Sequence, residues 1–180
     1  MSTKNNRPFR LLIFTSLFAA IIFIATTYLK LPLPVMGYVH LGDSLIFIAA
    51  TLLPCPYALT AAAIGAGLAD VIGGFPQYAL ATLVLKALTA LCFTAKRGKS
   101  VCVRNLIALA PAVVINAGGY YIFEAFLYGS FISPLANITF NIMQSVSNGI
   151  IFVLIGMIID KTSGLSSLFD GVRPVPKDKQ

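Results

Sequence analysis

Three stretches of this chain, Phe9 to Tyr28, Tyr78 to Ala95 and Asn137 to Ile159, are predominantly apolar over lengths that matter. Crossing about 30 Å of hydrocarbon as a helix takes about 20 such residues, with a lower limit near 17. A fourth stretch, Leu106 to Leu127, qualifies although it carries Pro111, Asn116 and Glu124. A fifth apolar region, Leu41 to Ile72, is too long for one helix and is broken by Pro54-Cys55-Pro56. Proline cannot donate a backbone hydrogen bond and restricts the residue before it, so this is a tight turn between two shortish helices. The pattern predicts an all-α integral membrane protein with six transmembrane helices, the second and third near or below the length limit. Residues 9–160 form the transmembrane domain, between tails of residues 1–8 and 161–180.

Composition agrees. Of the 180 residues, 58% are hydrophobic and only 11% charged, and the mean hydropathy is +0.88. Disorder, a nucleic-acid-binding domain and a secreted disulfide scaffold are excluded, since soluble domains carry roughly a quarter charged residues. The net charge of +7 reads as an orientation signal, because basic residues collect in cytoplasmic loops. Lys4, Arg7 and Arg10 precede the first span, Lys96, Arg97, Lys99 and Arg104 lie between the fourth and fifth, and Lys161, Arg173, Lys177 and Lys179 follow the sixth. Both termini are therefore expected in the cytoplasm, with outer loops over roughly Lys30 to Leu41, Gly73 to Gln77 and Tyr128 to Ala136. The first span is longer than a secretory signal core and lacks an Ala-x-Ala site, so it is expected to be retained. Cys55, Cys92 and Cys102 map to the inner side and are expected to be reduced thiols, without metal or redox work.

Ionisable groups at a helix centre in a bilayer cost about 2.5–3.5 kcal/mol each, so each needs a partner or a purpose. On the fourth helix Tyr78, Thr82, Lys86 and Thr89 share one face, being four, four and three residues apart. Asn116, Tyr120 and Glu124 do the same on the fifth, with Tyr121 alongside. Asn141, Gln144 or Ser145, and Asn148 repeat the pattern on the sixth. All three stripes lie between the outer surface and mid-membrane, while the inner halves of these helices are almost wholly apolar. They describe a solute pocket that opens outward over a greasy floor. Each residue also has a structural reading: Lys86 paired with Asp70 or stretched toward water, Glu124 as an interfacial carboxylate, the amides as interhelical hydrogen bonds. Convergence of three stripes at one depth favours the pocket.

Small residues mark other surfaces. The run from Ala58 to Ala69 on the third helix lets backbones approach closely within the chain, whereas Ser16-x-x-x-Ala20 on the first is suited to docking a separate membrane subunit. Several chemistries are missing. His40 is the one histidine, no GxSG-like serine or zinc-binding histidine pair occurs, and Gly98-Lys99-Ser100 lacks the earlier glycine of a phosphate-binding loop, with Phe93 in its place. No cofactor, metal or nucleic acid is expected, and ATP hydrolysis would have to come from elsewhere.

Several segments carry a family resemblance: Ser16-Leu-Phe-Ala-Ala20, Tyr38-Val-His-Leu-Gly-Asp43, Gly67-Leu-Ala-Asp-Val-Ile-Gly-Gly-Phe-Pro-Gln-Tyr78 with Lys86, Gly119-Tyr-Tyr-Ile-Phe-Glu124 with Tyr128-Gly129, and Asn141-Ile-Met-Gln144. In this order the chain resembles the substrate-binding S components of energy-coupling-factor (ECF) vitamin transporters, over about Phe9 to Lys161. The resemblance implies a six-helix bundle in a prokaryotic plasma membrane that holds a micronutrient near its outer face, beneath the loop between the first two helices. It also implies a transmembrane coupling subunit and two ATP-binding-cassette ATPases as partners. In such systems the loaded subunit topples to release its solute inward. The family's coupling face is Ala-x-x-x-Ala; here Ser16 replaces the first alanine and Ala20 keeps the second.

The expected substrate-binding residues are Tyr78, Thr82, Lys86, Asn116, Tyr120, Tyr121, Glu124, Asn141, Gln144 and Asn148, with His40 and Asp43 at the loop. A carboxylate beside aromatic rings and amides suits a flat heterocycle bearing an amine or ring N–H. A pyrimidine or pyridine vitamin precursor or a queuosine-type 7-deazapurine comes first. With Lys86 as main anchor the solute would be a carboxylate such as pantothenate, and riboflavin also fits the family. Two other classes remain open: a small membrane enzyme using Glu124 or His40 as acid or base, and a stand-alone facilitator.

Overall fold

The computed structural model describes residues 6–32 and 38–174. Lys4, Lys177 and Lys179 lie outside the described residues. In chain order the elements are α1 (Arg7–Tyr28), strands β1 (Lys30–Pro32) and β2 (Tyr38–His40), α2 (Gly42–Leu52), α3 (Cys55–Ile72), a 3-10 turn (Pro76–Tyr78) leading into α4 (Ala79–Leu91), α5 (Val103–Ile107), α6 (Leu109–Tyr128), α7 (Leu135–Lys161) and α8 (Ser163–Leu168). Among the described residues four stretches are long and apolar enough to cross a membrane: α1, α3, α5 with α6, and α7. At 1.5 Å per residue, α2 with its 11 residues and α4 with its 13 cover only about 16–20 Å each.

Two details depart from the expected all-helical outline. The strands β1 and β2 pair antiparallel, with Lys30 opposite His40, in the connection between α1 and α2. The fourth helix was expected to run to Ala95 but ends at Leu91. The cause lies across the loop: Asn105 Oδ1 accepts from the Thr94 amide, its Nδ2 donates to the Thr94 and Ser100 carbonyls, and Arg104 donates to the Cys92 carbonyl. These bonds satisfy the backbone that would otherwise continue the helix.

Elsewhere local chemistry sets the boundaries as expected. Leu53 closes α2, Pro54 precedes α3 and Pro56 occupies its first turn, where a missing N–H costs nothing. Pro111 stands four residues after Ile107, the last residue of α5. Its ring crowds the carbonyl four residues back, which divides α5 from α6.

Helix α3 packs between α1 and α4. Ala58, Ala61, Ala62, Ala66 and Ala69 are buried along it, so the small-residue run is internal packing. Farther in, Phe47, Phe93 and Phe152 from α2, the α4–α5 loop and α7 meet as an aromatic trio. The Phe47 and Phe93 rings stack at 4.7 Å, and Phe152 presents its edge to both at 6.0 and 5.5 Å. On the side carrying the basic residues, the Asp160 carboxylate accepts from the Ser100 and Val101 amides at 2.9 and 2.8 Å. Arg173 lies beside it at 3.6 Å and donates to the Gly98 carbonyl at 2.6 Å. The segment after α7 folds back so that Phe169 meets Phe14 and Phe18 of α1. All three cysteines are free thiols.

Candidate solute-binding site

Helix α6 supplies the frame. Asn116, Tyr120 and Glu124, four residues apart, present their polar groups to one side. Gly119 makes the approach to α4 possible, because a Cβ there would lie 2.3 Å from a Leu85 methyl carbon. With the helices this close, Lys86 Nζ donates to Asn116 Oδ1 at 2.8 Å and lies 5.2 Å from the centre of the Tyr120 ring. Thr82, one turn above, shares a hydrogen bond with the Tyr120 hydroxyl at 2.9 Å.

The cation of Lys86 is paired with Asp43, at 2.8 Å to Oδ1, and both side chains are buried, at 1% and 0% exposure. The structural readings expected from the sequence were a pair with Asp70 or an ammonium stretched toward water; the structure sets Asp43 against it instead. Asp70 lies two residues before the end of α3, whereas Lys86 sits eight residues past Tyr78, about 12 Å along its helix. Asp43, in the first turn of α2, is an acid that meets the ammonium directly.

Helix α7 holds the entry of α2. Gln144 Nε2 donates to Asp43 Oδ2 at 3.0 Å, and Gln144 Oε1 accepts from the His40 amide at 3.2 Å. Asn148 Oδ1 accepts from the Ser44 amide at 2.8 Å while its Nδ2 donates to the His40 carbonyl at 2.8 Å. Asn148 thus caps α2 from another helix, satisfying a first-turn N–H that has no partner inside its own helix. His40 is buried, and the Gly42 amide donates to its Nδ1 at 3.1 Å. Burial pushes its pKa down from 6.5 to about 4, against an upward pull from Asp43. The imidazole is therefore neutral at physiological pH.

A second polar group lies toward the C-terminal end of α6. Glu124 is 5% exposed; its carboxylate accepts from the Tyr78 hydroxyl at 3.2 Å and from Asn137 Nδ2 at 3.0 Å. The Tyr78 hydroxyl also meets that of Tyr128 at 2.7 Å. The Tyr78 ring packs edge-on against Phe123 and Phe75. Asn137 and Tyr128 were not among the expected site residues. Asn137 extends the α7 stripe one turn before Asn141, and that spacing was the available signal.

The remaining residues are placed as follows. Tyr121 turns to the loop after α6, donating to the Phe131 carbonyl at 3.0 Å, apart from the cluster around Glu124. Asn141 is half-buried between Asn137 and Gln144 on α7. Ser16 and Ala20 are exposed on α1, on the side away from its buried residues Leu11, Phe18 and Ile22. An outward-facing apolar groove of about 560 Å³ between α6 and α7, reached by Ser145 at one end, is separate from these polar groups.

Residues 8–161 match the family model described as ECF-type riboflavin transporter, S component. The chain belongs to this family. It is thus a transmembrane transporter subunit and not an enzyme, and ATPase activity sits in separate partner proteins. A Pyrococcus woesei protein, described only as an uncharacterised protein in the gap 3′ region, is 31% identical over 143 residues, covering 78% of this chain and 95% of its own. A solved structure of the S component of a bacterial ECF transporter superposes with a TM-score of 0.68 at 23% identity, over 87% of this chain and 96% of the other. At that identity the likeness is one of fold.

Proposed function

We propose that this S component captures a flat nitrogen heterocycle from outside the cell and passes it to a transmembrane coupling subunit driven by two ATP-binding-cassette ATPases. The observation that carries the reading is the polar face of α6, from Asn116 through Tyr120 to Glu124, met by Lys86 of α4, Tyr78 of the 3-10 turn before it and Asn137 of α7. Aromatic rings and amides are available there for stacking and orientation. Pantothenate-like carboxylates are disfavoured, because the Lys86 ammonium is already neutralised by Asp43. Riboflavin, which names the family, stands beside the pyrimidine, pyridine and 7-deazapurine candidates as a first solute to test.

The same proposal takes residues 9–160 as six spans of a prokaryotic plasma-membrane protein, with both terminal tails in the cytoplasm. The distribution of basic residues supports that orientation. The exposed small-residue face at Ser16 and Ala20 supports α1 as the surface that meets the coupling subunit. Calorimetry of the purified chain against riboflavin and the other candidates tests capture, with micromolar or tighter binding of at least one expected. Solute flux in vesicles holding this chain alone would instead make it a facilitator.

A further inference from the structure

We propose that the solute carries a protonated amine at its outer end and a neutral hydrogen-bond acceptor at its inner end. The inference rests on the capture reading above and narrows its substrate class. Glu124 is buried, and both of its partners, the Tyr78 hydroxyl and the Asn137 amide, are neutral donors. Neither the Lys86–Asp43 pair nor the Arg173–Asp160 pair includes Glu124. A carboxylate taken out of water without a counter-charge keeps much of its desolvation cost, which a ligand cation would offset.

Two unpaired amide atoms set the polarity of the site. Asn137 directs its Nδ2 to Glu124, and its buried Oδ1 has no hydrogen bond. Turning the amide over would set an oxygen against the carboxylate, so the free atom is fixed as an acceptor. Asn116 is the opposite case: its Oδ1 accepts from Lys86, and its buried Nδ2 is unpaired. A flip there would bring an NH₂ against an ammonium. The outer end therefore offers a carboxylate and a carbonyl oxygen, a pair that receives an N–H-rich cation. The inner end offers one amide donor, and because Asp43 cancels Lys86, the group that meets it is a neutral carbonyl or ring nitrogen. Asn116 and Glu124 are eight residues apart, about 12 Å along the helix, with the Tyr120 ring between them. A one- or two-ring heterocycle with an aminomethyl arm has this shape and polarity; riboflavin has no cation.

Matched probes test this by calorimetry on the purified full-length chain: 7-aminomethyl- against 7-cyano-7-deazaguanine, and an aminomethyl- against a hydroxymethyl-aminopyrimidine, with riboflavin alongside. The amine of at least one pair is expected to bind at least tenfold tighter than its neutral counterpart. Glu124→Gln is expected to abolish that preference, and Asn116→Leu to weaken both members about equally. Thermal unfolding of both variants verifies that they fold; should Glu124→Gln fail, the preference of the wild-type chain alone decides. Equal or tighter binding of the neutral members, or a preference that survives Glu124→Gln, overturns the proposal. Riboflavin binding without either amine overturns it too, while leaving the capture reading intact, and failure of every probe removes both.

Discussion

Removing the ammonium of Lys86 would leave the Asp43 carboxylate fully buried with the Gln144 amide as its remaining side-chain donor. Breaking a buried pair in this way costs about 3–5 kcal/mol, so Lys86→Met is expected to lower the thermal midpoint of the purified chain strongly. Adding Asp43→Asn should recover most of that loss, and a double variant as unstable as the single would refute the pairing argument. His40 makes a separate prediction about pH. Its folded pKa is about 4 against the ordinary 6.5, so on acidification the unfolded chain takes up the proton first. This contribution to stability is complete above about pH 6.5 and declines as the pH falls toward 4. Thermal unfolding at pH 8, 7, 6 and 5 should show it, with His40→Gln flatter across the lower half. At this scale Lys86, Asn116 and Glu124 were legible because polar groups stand out in apolar runs. Which acid meets Lys86 was not, since that depends on how α2 and α3 pack against α4.

Among the elements, α2 depends most on its neighbours. It is short, and its first turn is capped by Asn148 from α7. A Cβ at Gly42 would lie 2.0 Å from the Thr26 hydroxyl oxygen of α1. Gly42→Ala is thus expected to destabilise by about 1–3 kcal/mol, the usual cost of overpacking, with a lowered thermal midpoint as the readout; an unchanged midpoint would mean that α1 and α2 can separate freely there. The long helices and the Pro54-Cys55-Pro56 turn were readable because length, hydropathy and proline act locally. The early end of α4 was not, because the residues that satisfy its last carbonyls and the following loop lie beyond it. Asp160 meets amides 59 and 60 residues before it, and Arg173 reaches back 75 residues to Gly98. Neither contact leaves a periodic trace in the sequence.

For the whole molecule, the proposed handover separates capture from transport, and α1 is where the two can be told apart. Ser16 and Ala20 are exposed on α1, whereas the hydrogen-bond partners described for Lys86 and Glu124 come from other elements. Enlarging either to Trp should leave solute binding within twofold while abolishing ATP-driven uptake by the reconstituted complex; uptake at the wild-type rate would assign that face to lipid. The long apolar helices of the bundle were legible from hydropathy across the chain. The ring contact of Phe47, Phe93 and Phe152 was only partly so, since apolar inner halves forecast a greasy floor without saying which rings would close it. That closure has a consequence for the cell's economy. On the proposed function, rings packed beneath the capture site would leave protons and sodium no wet column to follow, so surplus copies would not drain the membrane potential, and a cell could keep more receptors than ATP-driven engines and let occupancy decide which of them is served.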